Sequence, residues 1–248
     1  MSEDNVKYSV DMPEQINLAP VDPEQELELL LQAEIESSLA NIDPKPPRIK
    51  VSRENTVFML PDGTTAKSLT GIIVFHHKAR GYWEIEGQKI PSCSSMDGQT
   101  GIDDNGSEHA CQKCRQNRYG SGKDGRGKAC KEMRWVYLLQ EDETIPSRIS
   151  FSPTSIGSFD NFITAIVQKR LAPIQKIVKL SLETGESNGY KYSVLAQPEV
   201  VGDTPRESII TLVRMRESVV AAARKAGIEA EDYYVEDKEQ GPGGEQPY

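Results

Sequence analysis

Apolar and polar residues alternate with two different periods along this chain, and each change of period marks a predicted element. A helical period begins after Pro23, where Asp22 is placed to cap the first turn. Its apolar stripe consists of Leu27, Leu30, Leu31, Ile35 and Leu39. From Arg48 the period becomes two, which predicts strands over RIKVS, TVFML and LTGIIVFHHKARGYWEI and, after a long polar stretch, over MRWVYLLQ and SRISFS.

The C-terminal half changes period again. SPTSIGSFDNFITAIVQKRL predicts a helix, IQKIVKLSLE and NGYKYSVLAQP predict a hairpin, and DTPRESIITLVRMRESVVAAARKAG predicts a second helix that ends at Gly227. Short strands with one helix before the last pair are typical of a small Greek-key barrel of the OB type. We therefore predict a mainly β (α+β) fold with such a barrel, although a sandwich fits the same pattern.

Composition divides the chain into three predicted regions. Residues 1–47 form an acidic N-terminal arm with one amphipathic helix and a Pro-rich linker. Residues 48–227 form an OB-like domain with a zinc insertion at 91–131. Residues 228–248 form an acidic, disordered tail that contains Gly and Pro.

The formal net charge of −9 conceals an uneven distribution. Residues 1–43 carry eleven acidic side chains and one Lys, and residues 228–248 carry seven acidic side chains and one Lys. The remainder, 44–227, holds 27 basic and 20 acidic side chains, a net charge of +7. A basic body with acidic flanks is typical of a protein that binds polyanions. The tail is expected to compete for the basic groove of the body.

All four cysteines lie in a stretch that contains little else to form a core: Cys93, Cys111, Cys114 and Cys130. Four thiolates around one structural Zn²⁺ would order such a segment, with about 10 kcal/mol or more of binding free energy. The spacing C-x17-C-x2-C-x15-C indicates a metal site more clearly than it fixes the ligand set. His109 could replace Cys93 as a ligand, and redox-active or inert thiols are the other readings.

Cations and aromatic side chains surround these cysteines and predict a single-strand-binding surface. On a strand, Trp135 and Tyr137 share one face and Val136 and Leu138 the other, so we expect the first pair to lie on the open side. The predicted nucleic-acid contacts are Lys78, Arg80, Tyr82, Trp83, Lys113, Arg115, Arg118, Tyr119, Lys123, Arg126, Lys128, Lys131, Arg134, Trp135 and Tyr137.

The sequence supports an enzymatic function less well than a binding function. Gly122-x4-Gly127-Lys128 matches most of a P-loop, but Ala129 stands where Ser or Thr would bind Mg²⁺ and no hydrophobic strand precedes it. A metal-dependent nuclease cluster would lie in a polar loop without hydrophobic support; its residues would be Asp97, Asp103, Asp104, Glu108 and His109. We predict no catalytic residues and no enzyme.

The chain resembles phage and prophage single-stranded-DNA-binding proteins with an OB fold and an inserted zinc-ribbon loop. The resemblance covers about residues 85–195 and rests on PSCSSMDGQTG, HACQKC, NRYGSGKDGRGKACK leading into RWVYLL, FSPTSIGSF, and the pair KIVKLSLE and YKYSVL. It implies non-sequence-specific binding of single-stranded DNA in replication, recombination or repair. It also implies that the acidic tail recruits replication or recombination proteins. The acidic helical arm departs from that pattern.

A protein-interaction factor is the other functional reading, in which the zinc ribbon binds a host polymerase or recombination protein. The chain has no apolar run that could span a bilayer, and its N-terminus has no signal-peptide pattern. We therefore expect a cytoplasmic protein, in a bacterial host cell if it is phage-encoded, with neither a membrane nor a small molecule as partner.

Overall fold

The computed structural model describes residues 22–42, 45–187 and 189–233 of the chain. Contacts divide the chain into two compact units, Met1–Pro44 and Lys45–Tyr248. Within the described ranges, no helix is long and apolar enough to cross a membrane. Residues 234–248 of the predicted tail lie outside the described part of the chain.

Helix α1 (Pro23–Ala40) of the first unit begins as the sequence predicts. Asp22 Oδ1 accepts a hydrogen bond from the Glu24 N–H at 3.1 Å, which satisfies one of the donors that a helix N-terminus leaves open. The side chains of Leu27, Leu30 and Leu31 are each more than half exposed. The helix thus carries an apolar stripe within an acidic sequence.

Twelve strands and two helices make up the described part of the second unit, which confirms the mainly β, α+β class. In chain order the elements are β1 (Arg48–Val51), β2 (Phe58–Met59), β3 (Thr65–Ala66), β4 (Ser68–Tyr82), β5 (Cys93–Ser95), β6 (Thr100–Asp103), β7 (Glu108–Ala110), β8 (Lys131–Leu139), β9 (Ser147–Phe151), α2 (Pro153–Gln168), β10 (Lys176–Ser187), β11 (Tyr190–Leu195), β12 (Glu199–Asp203) and α3 (Arg206–Lys225).

The long strand β4 organises the sheet. One edge pairs antiparallel with β8, and the other edge pairs antiparallel with β10 near its start and with β5 near its end. β9 follows β8, and β1 pairs with β9 in parallel. Strand β11 pairs with β10, and within it the Ser193 N–H donates to the Arg53 carbonyl at 2.7 Å, so β11 contacts the residues that follow β1.

One face of the strands encloses the larger core. Val136 and Leu138 of β8 are fully buried there, as their alternation predicts, together with Ile149 of β9. Helix α2 covers this core with Phe159 and Phe162, at 0% and 5% exposure. Each such side chain contributes about 1.5–3 kcal/mol by leaving water.

The opposite face of β4 and β8 is also covered. Helix α3 packs Leu212, Val219 and Ala223 against a second apolar cluster that contains Trp135 and Tyr137. The sheet therefore has apolar layers on both sides. This second layer decides which predicted site residues reach solvent.

Three differences from the sequence prediction concern the insertion, the hairpin of β10 and β11, and the tail. The polar insertion carries three short strands, β5 to β7, which continue the main sheet from the edge of β4. Gly185 lies inside β10 and Ser187 pairs with Tyr190, so the predicted hairpin is tighter. The predicted disordered tail is wrong for its first six residues, because Ile228 and Asp232 are buried on the body.

Candidate metal and nucleic-acid site

The four cysteines line one cavity at the far end of β4. Cys93 begins β5 and pairs with Tyr82 of β4, while Cys111 directly follows β7 and Cys130 directly precedes β8. Cys93 and Cys130, which are 37 positions apart in the chain, thus come together because the three short strands fold the insertion back onto the sheet. None of the four forms a disulfide.

Backbone hydrogen bonds shape the C-x-x-C turn. The Cys114 N–H donates to the Cys111 carbonyl at 3.3 Å, and the Cys130 N–H donates to the Gln116 carbonyl at 2.8 Å. The Asn117 side-chain amide donates to the Cys111 carbonyl at 2.9 Å. These bonds hold the knuckle against the residue that precedes β8, with little help from apolar packing.

The thiols are close enough to influence one another. Burial raises the pKa of Cys93 to about 11 and that of Cys130 to about 12, and neighbouring cysteines raise both pKa values further. A Cβ added at Gly101 would lie 3.0 Å from Cys93 Sγ and 3.5 Å from Cys111 Sγ, so a glycine gives these sulfurs their room. A divalent cation among them would reverse this electrostatic balance by favouring thiolates.

As the side chains stand, no group of three or more His, Cys, Asp or Glu residues in the described ranges has the arrangement of a metal site. The cysteines share a cavity without converging to ligand distances. His109 also lines that cavity, but its Nε2 lies 2.8 Å from Asp103 Oδ2 and its side chain is half exposed. The contact with Asp103 occupies Nε2 and leaves Nδ1, so it does not choose between His109 and Cys93 as a ligand.

The basic loop that follows the knuckle lies at the surface. Lys113, Arg115, Arg118 and Arg126 are exposed, and none of them has an ion-pair partner among the described residues. Tyr119 stands in their midst with 85% exposure. This group, which we call the cationic loop, combines charge and an open aromatic ring.

Two further loop cations are held more closely. Lys123 Nζ lies 3.6 Å from Glu86, and Lys128 Nζ donates to Asn117 Oδ1 at 3.2 Å, yet both side chains are exposed. Gly120 and Gly122 direct their N–H groups to the Gly127 carbonyl. These two amides are therefore already bonded within the loop.

Two predicted phosphate contacts are structural instead. Arg134 is 3% exposed and binds Asp160 of α2 through two hydrogen bonds of 2.9 and 2.6 Å. Arg80 is largely buried and donates to Gly98, Asn117 and Glu132. The first clamps α2 to the sheet and the second clamps the insertion to β8, so neither guanidinium is available to a phosphate.

The predicted exposure of Trp135 and Tyr137 is wrong. Both side chains point to the face opposite Val136, as the alternation requires, but both are 0% exposed beneath α3 and the residues after it. The apolar faces of the strand and of the helix leave water together when they pack against each other, which favours this closed arrangement. These two rings cannot stack on a base in this arrangement.

The remaining predicted contacts lie between these extremes. Lys78 is exposed and its side chain passes over Gly98, while Tyr82 is half-buried beside the cysteine cavity. Trp83 is half-buried over Gly81 with its ring 6.3 Å from that of Tyr233. Lys131 donates to the Lys128 carbonyl at 3.0 Å, and burial lowers its pKa.

The sequence analysis did not predict the cations on β1 and β9 as site residues. Arg148 of β9 lies beside Tyr137 in the sheet register, and its guanidinium carbon is 3.7 Å from the centre of the Trp135 ring. Arg48 and Lys50 lie on the neighbouring strand β1 and contact Glu229 and Glu231. Only the pairing of β1 with β9 brings them together, and the sequence gives no local signal for that pairing.

The acidic side chains of the insertion serve its turns. Asp97 Oδ1 accepts hydrogen bonds from the N–H groups of Gln99 and Thr100, and Asp103 Oδ1 accepts them from Asn105 and Ser107. The hydrogen bond with His109 and then these backbone bonds lower the pKa of Asp103, and the backbone bonds lower that of Asp97.

Comparison of the chain with protein-family models, with curated proteins and with solved structures finds no match.

Proposed function

We propose that this protein binds single-stranded nucleic acid through the cationic loop, and that an OB-type barrel with a zinc-stapled insertion presents that loop. The observation that carries the proposal is the group of exposed cations without ion-pair partners among the described residues around Tyr119. Sequence-tolerant single-strand binding needs charges that follow a phosphate backbone and an aromatic ring on which bases stack.

Several features support the OB-type reading of the fold. The long strand β4 pairs with β8 on one edge and β10 on the other, and helix α2 lies between the third long strand, β9, and the fourth, β10. The cationic loop lies in the connection between β4 and β8, the first two long strands. In OB folds the corresponding loop takes part in binding oligonucleotides.

The shared cavity of four thiols supports structural zinc. Its residues are of the type and number of a tetrahedral site with four cysteine ligands, and each sulfur would have to become a thiolate to bind. Zinc would fix the knuckle and Cys130, which lie at the two ends of the cationic loop. The ion would therefore act on binding by ordering the loop, with no open position for catalysis.

The test is a titration of labelled oligo(dT), about 20 nucleotides long, at several salt concentrations with the zinc-replete protein. Replacing Arg115, Arg118 and Arg126 by Gln should reduce the slope of log affinity against log salt by about 2, since each neutralised phosphate on a single strand contributes about 0.7. Substituting Lys45, Lys67 and Lys169 by Gln removes the same charge at other exposed positions and is the matched control.

A Tyr119→Ala variant separates stacking from charge. It should cost about 1–3 kcal/mol of binding free energy while leaving the salt slope unchanged. Equal losses in the arginine variant and in its control would show that binding is not located at the loop. Absence of binding to single strands, duplex and RNA alike would favour the protein-interaction reading, and Mg²⁺-dependent cleavage would favour a nuclease.

A further inference from the structure

The six residues 228–233 lie against β1 and β9 and cover three cations. Glu229 lies 3.2 Å from Arg48, Glu231 lies 2.5 Å from Lys50, and Asp232 lies 2.5 Å from Arg148. We call residues 228–233 the strap. Three carboxylates thus follow one another along a row of cations, at the spacing of neighbouring residues in one short segment.

An aromatic contact extends the row. Tyr233 at the end of the strap lies against Trp83, with ring centres 6.3 Å apart, and Lys131 Nζ is 5.7 Å from the Tyr233 ring. The strap thus presents a row of negative charges and a flat ring, and a single strand likewise presents negative phosphates and flat bases.

The surface beneath the strap has polar groups that the fold leaves unused. Arg148 is 6% exposed and Trp135 is 0% exposed, yet neither Arg148 Nε nor Trp135 Nε1 has a hydrogen-bond partner within the described ranges. Buried donors of this kind are rare in folded proteins because each costs about 1–3 kcal/mol. The presence of these two donors under the strap indicates a surface that can accept another ligand.

The ion pairs that hold the strap are partly offset by desolvation. Burial lowers the pKa of Arg148 and raises that of Asp232, so each group resists its charge even with the other beside it. A buried ion pair of this kind contributes little net stability. The other two pairs have exposed carboxylates, with Glu229 and Glu231 more than half exposed, and are individually weak.

We propose that the strap occupies a second subsite for single-stranded nucleic acid and that a bound strand displaces it. Arg48, Lys50 and Arg148 would then neutralise phosphates, and Trp83 would stack on a base in place of Tyr233. Helix α3 keeps its place over the second apolar cluster. This inference rests on the proposed function, because it assumes that single strands are the ligand.

The experiment removes the two exposed carboxylates without disturbing the buried pair. Replacing Glu229 and Glu231 by Gln should raise oligo(dT) affinity about fivefold at low salt, with a smaller gain at high salt, because the strap then competes less well. Replacing Glu183 and Glu186 by Gln changes the net charge equally at exposed positions of β10 and should leave affinity within about twofold.

A second pair of variants locates the gain. When Arg48 and Lys50 are also changed to Gln, the increase caused by the strap substitutions should disappear, because the strap and the strand compete for those two cations. A gain that persists in this background, or one equal to that of the β10 control, would overturn the proposal.

Failure of the strap proposal can be told from failure of the proposed function. Unchanged affinity in the strap variant of a protein that does bind oligo(dT) would overturn the subsite and leave the cationic loop as the binding surface. Loss of binding in every variant and in the wild type would overturn both.

Discussion

His76 gives the protein a pH-dependent stability that can be calculated from its surroundings. Its ring lies on the inner side of β4 with an edge against Phe159, the ring centres 5.3 Å apart. Burial, and secondarily the positive charge of Arg134, lower its pKa from 6.5 to about 4. The folded protein therefore binds this proton less readily than the unfolded chain does.

The sign and size follow from proton linkage. Between pH 6.5 and 4 unfolding takes up a proton at His76, so the stability that is present above pH 6.5 is lost as the pH falls through this window. From about pH 7.5 to about pH 5 the loss amounts to about 2 kcal/mol.

Urea unfolding at about pH 7.5 and about pH 5, followed by far-UV circular dichroism, measures the effect. His76→Gln should remove about 2 kcal/mol of the pH dependence whatever it does to stability at the higher pH. His77→Gln, on the opposite face of β4, is the comparison; burial lowers that pKa too, and we expect a smaller change. The same pH dependence in wild type and His76→Gln would refute the assignment.

Three further outcomes are expected. Gly101→Ala should weaken binding at the proposed zinc site about tenfold in a chelator competition, because the new Cβ lies 3.0 Å from Cys93 Sγ. Unchanged affinity would show that this sulfur is not a zinc ligand. Gly157→Ala should raise the free energy of unfolding by about 0.5–1 kcal/mol, since it lies in α2 with nothing within 4 Å of the added methyl, and a lower urea midpoint would contradict this. In reduced, zinc-free protein at about pH 8, iodoacetamide should label Cys93 about a hundredfold and Cys130 about a thousandfold more slowly than a model thiol, because burial raises their pKa values to about 11 and about 12. Labelling as fast as the model thiol would show that these thiols are open to solvent.

Periodicity in the sequence was sufficient to predict the main strands and helices. The alternation of Val136 and Leu138 with Trp135 and Tyr137 correctly separates the two faces of β8. The apolar positions of α2 likewise predict that Phe159 and Phe162 face the core. These signals are local, because the side-chain periods of a strand and of a helix are fixed by backbone geometry.

The insertion shows where local signals end. Strands β5 to β7 contain few β-branched residues, and they form because β4 offers an unpaired edge at Arg80, Gly81 and Tyr82. Their stability comes from backbone hydrogen bonds to that edge and from Asp-centred turns, neither of which produces a hydrophobic pattern. The sequence could show that the four cysteines belong together, but not that three short strands would assemble their cavity.

Charged residues near the site were the least predictable. Arg134 and Arg126 are both arginines of the same basic stretch, yet one is buried against Asp160 and the other is exposed. The difference depends on which side chains α2 brings to the sheet, and such contacts join residues distant in the chain. A count of charges therefore predicts the sign of a surface better than it predicts the residues that form it.

The burial of Trp135 and Tyr137 follows from a feature that the sequence does contain. Helix α3 has an apolar stripe that includes Leu212, Val219 and Ala223, and a stripe of that kind must cover another apolar surface. The face of β8 opposite Val136 offers such a surface, because the inner face is already filled by α2. Two unpartnered apolar faces in one domain bury each other, which leaves the proposed nucleic-acid contacts to the cationic loop and to the cations beneath the strap.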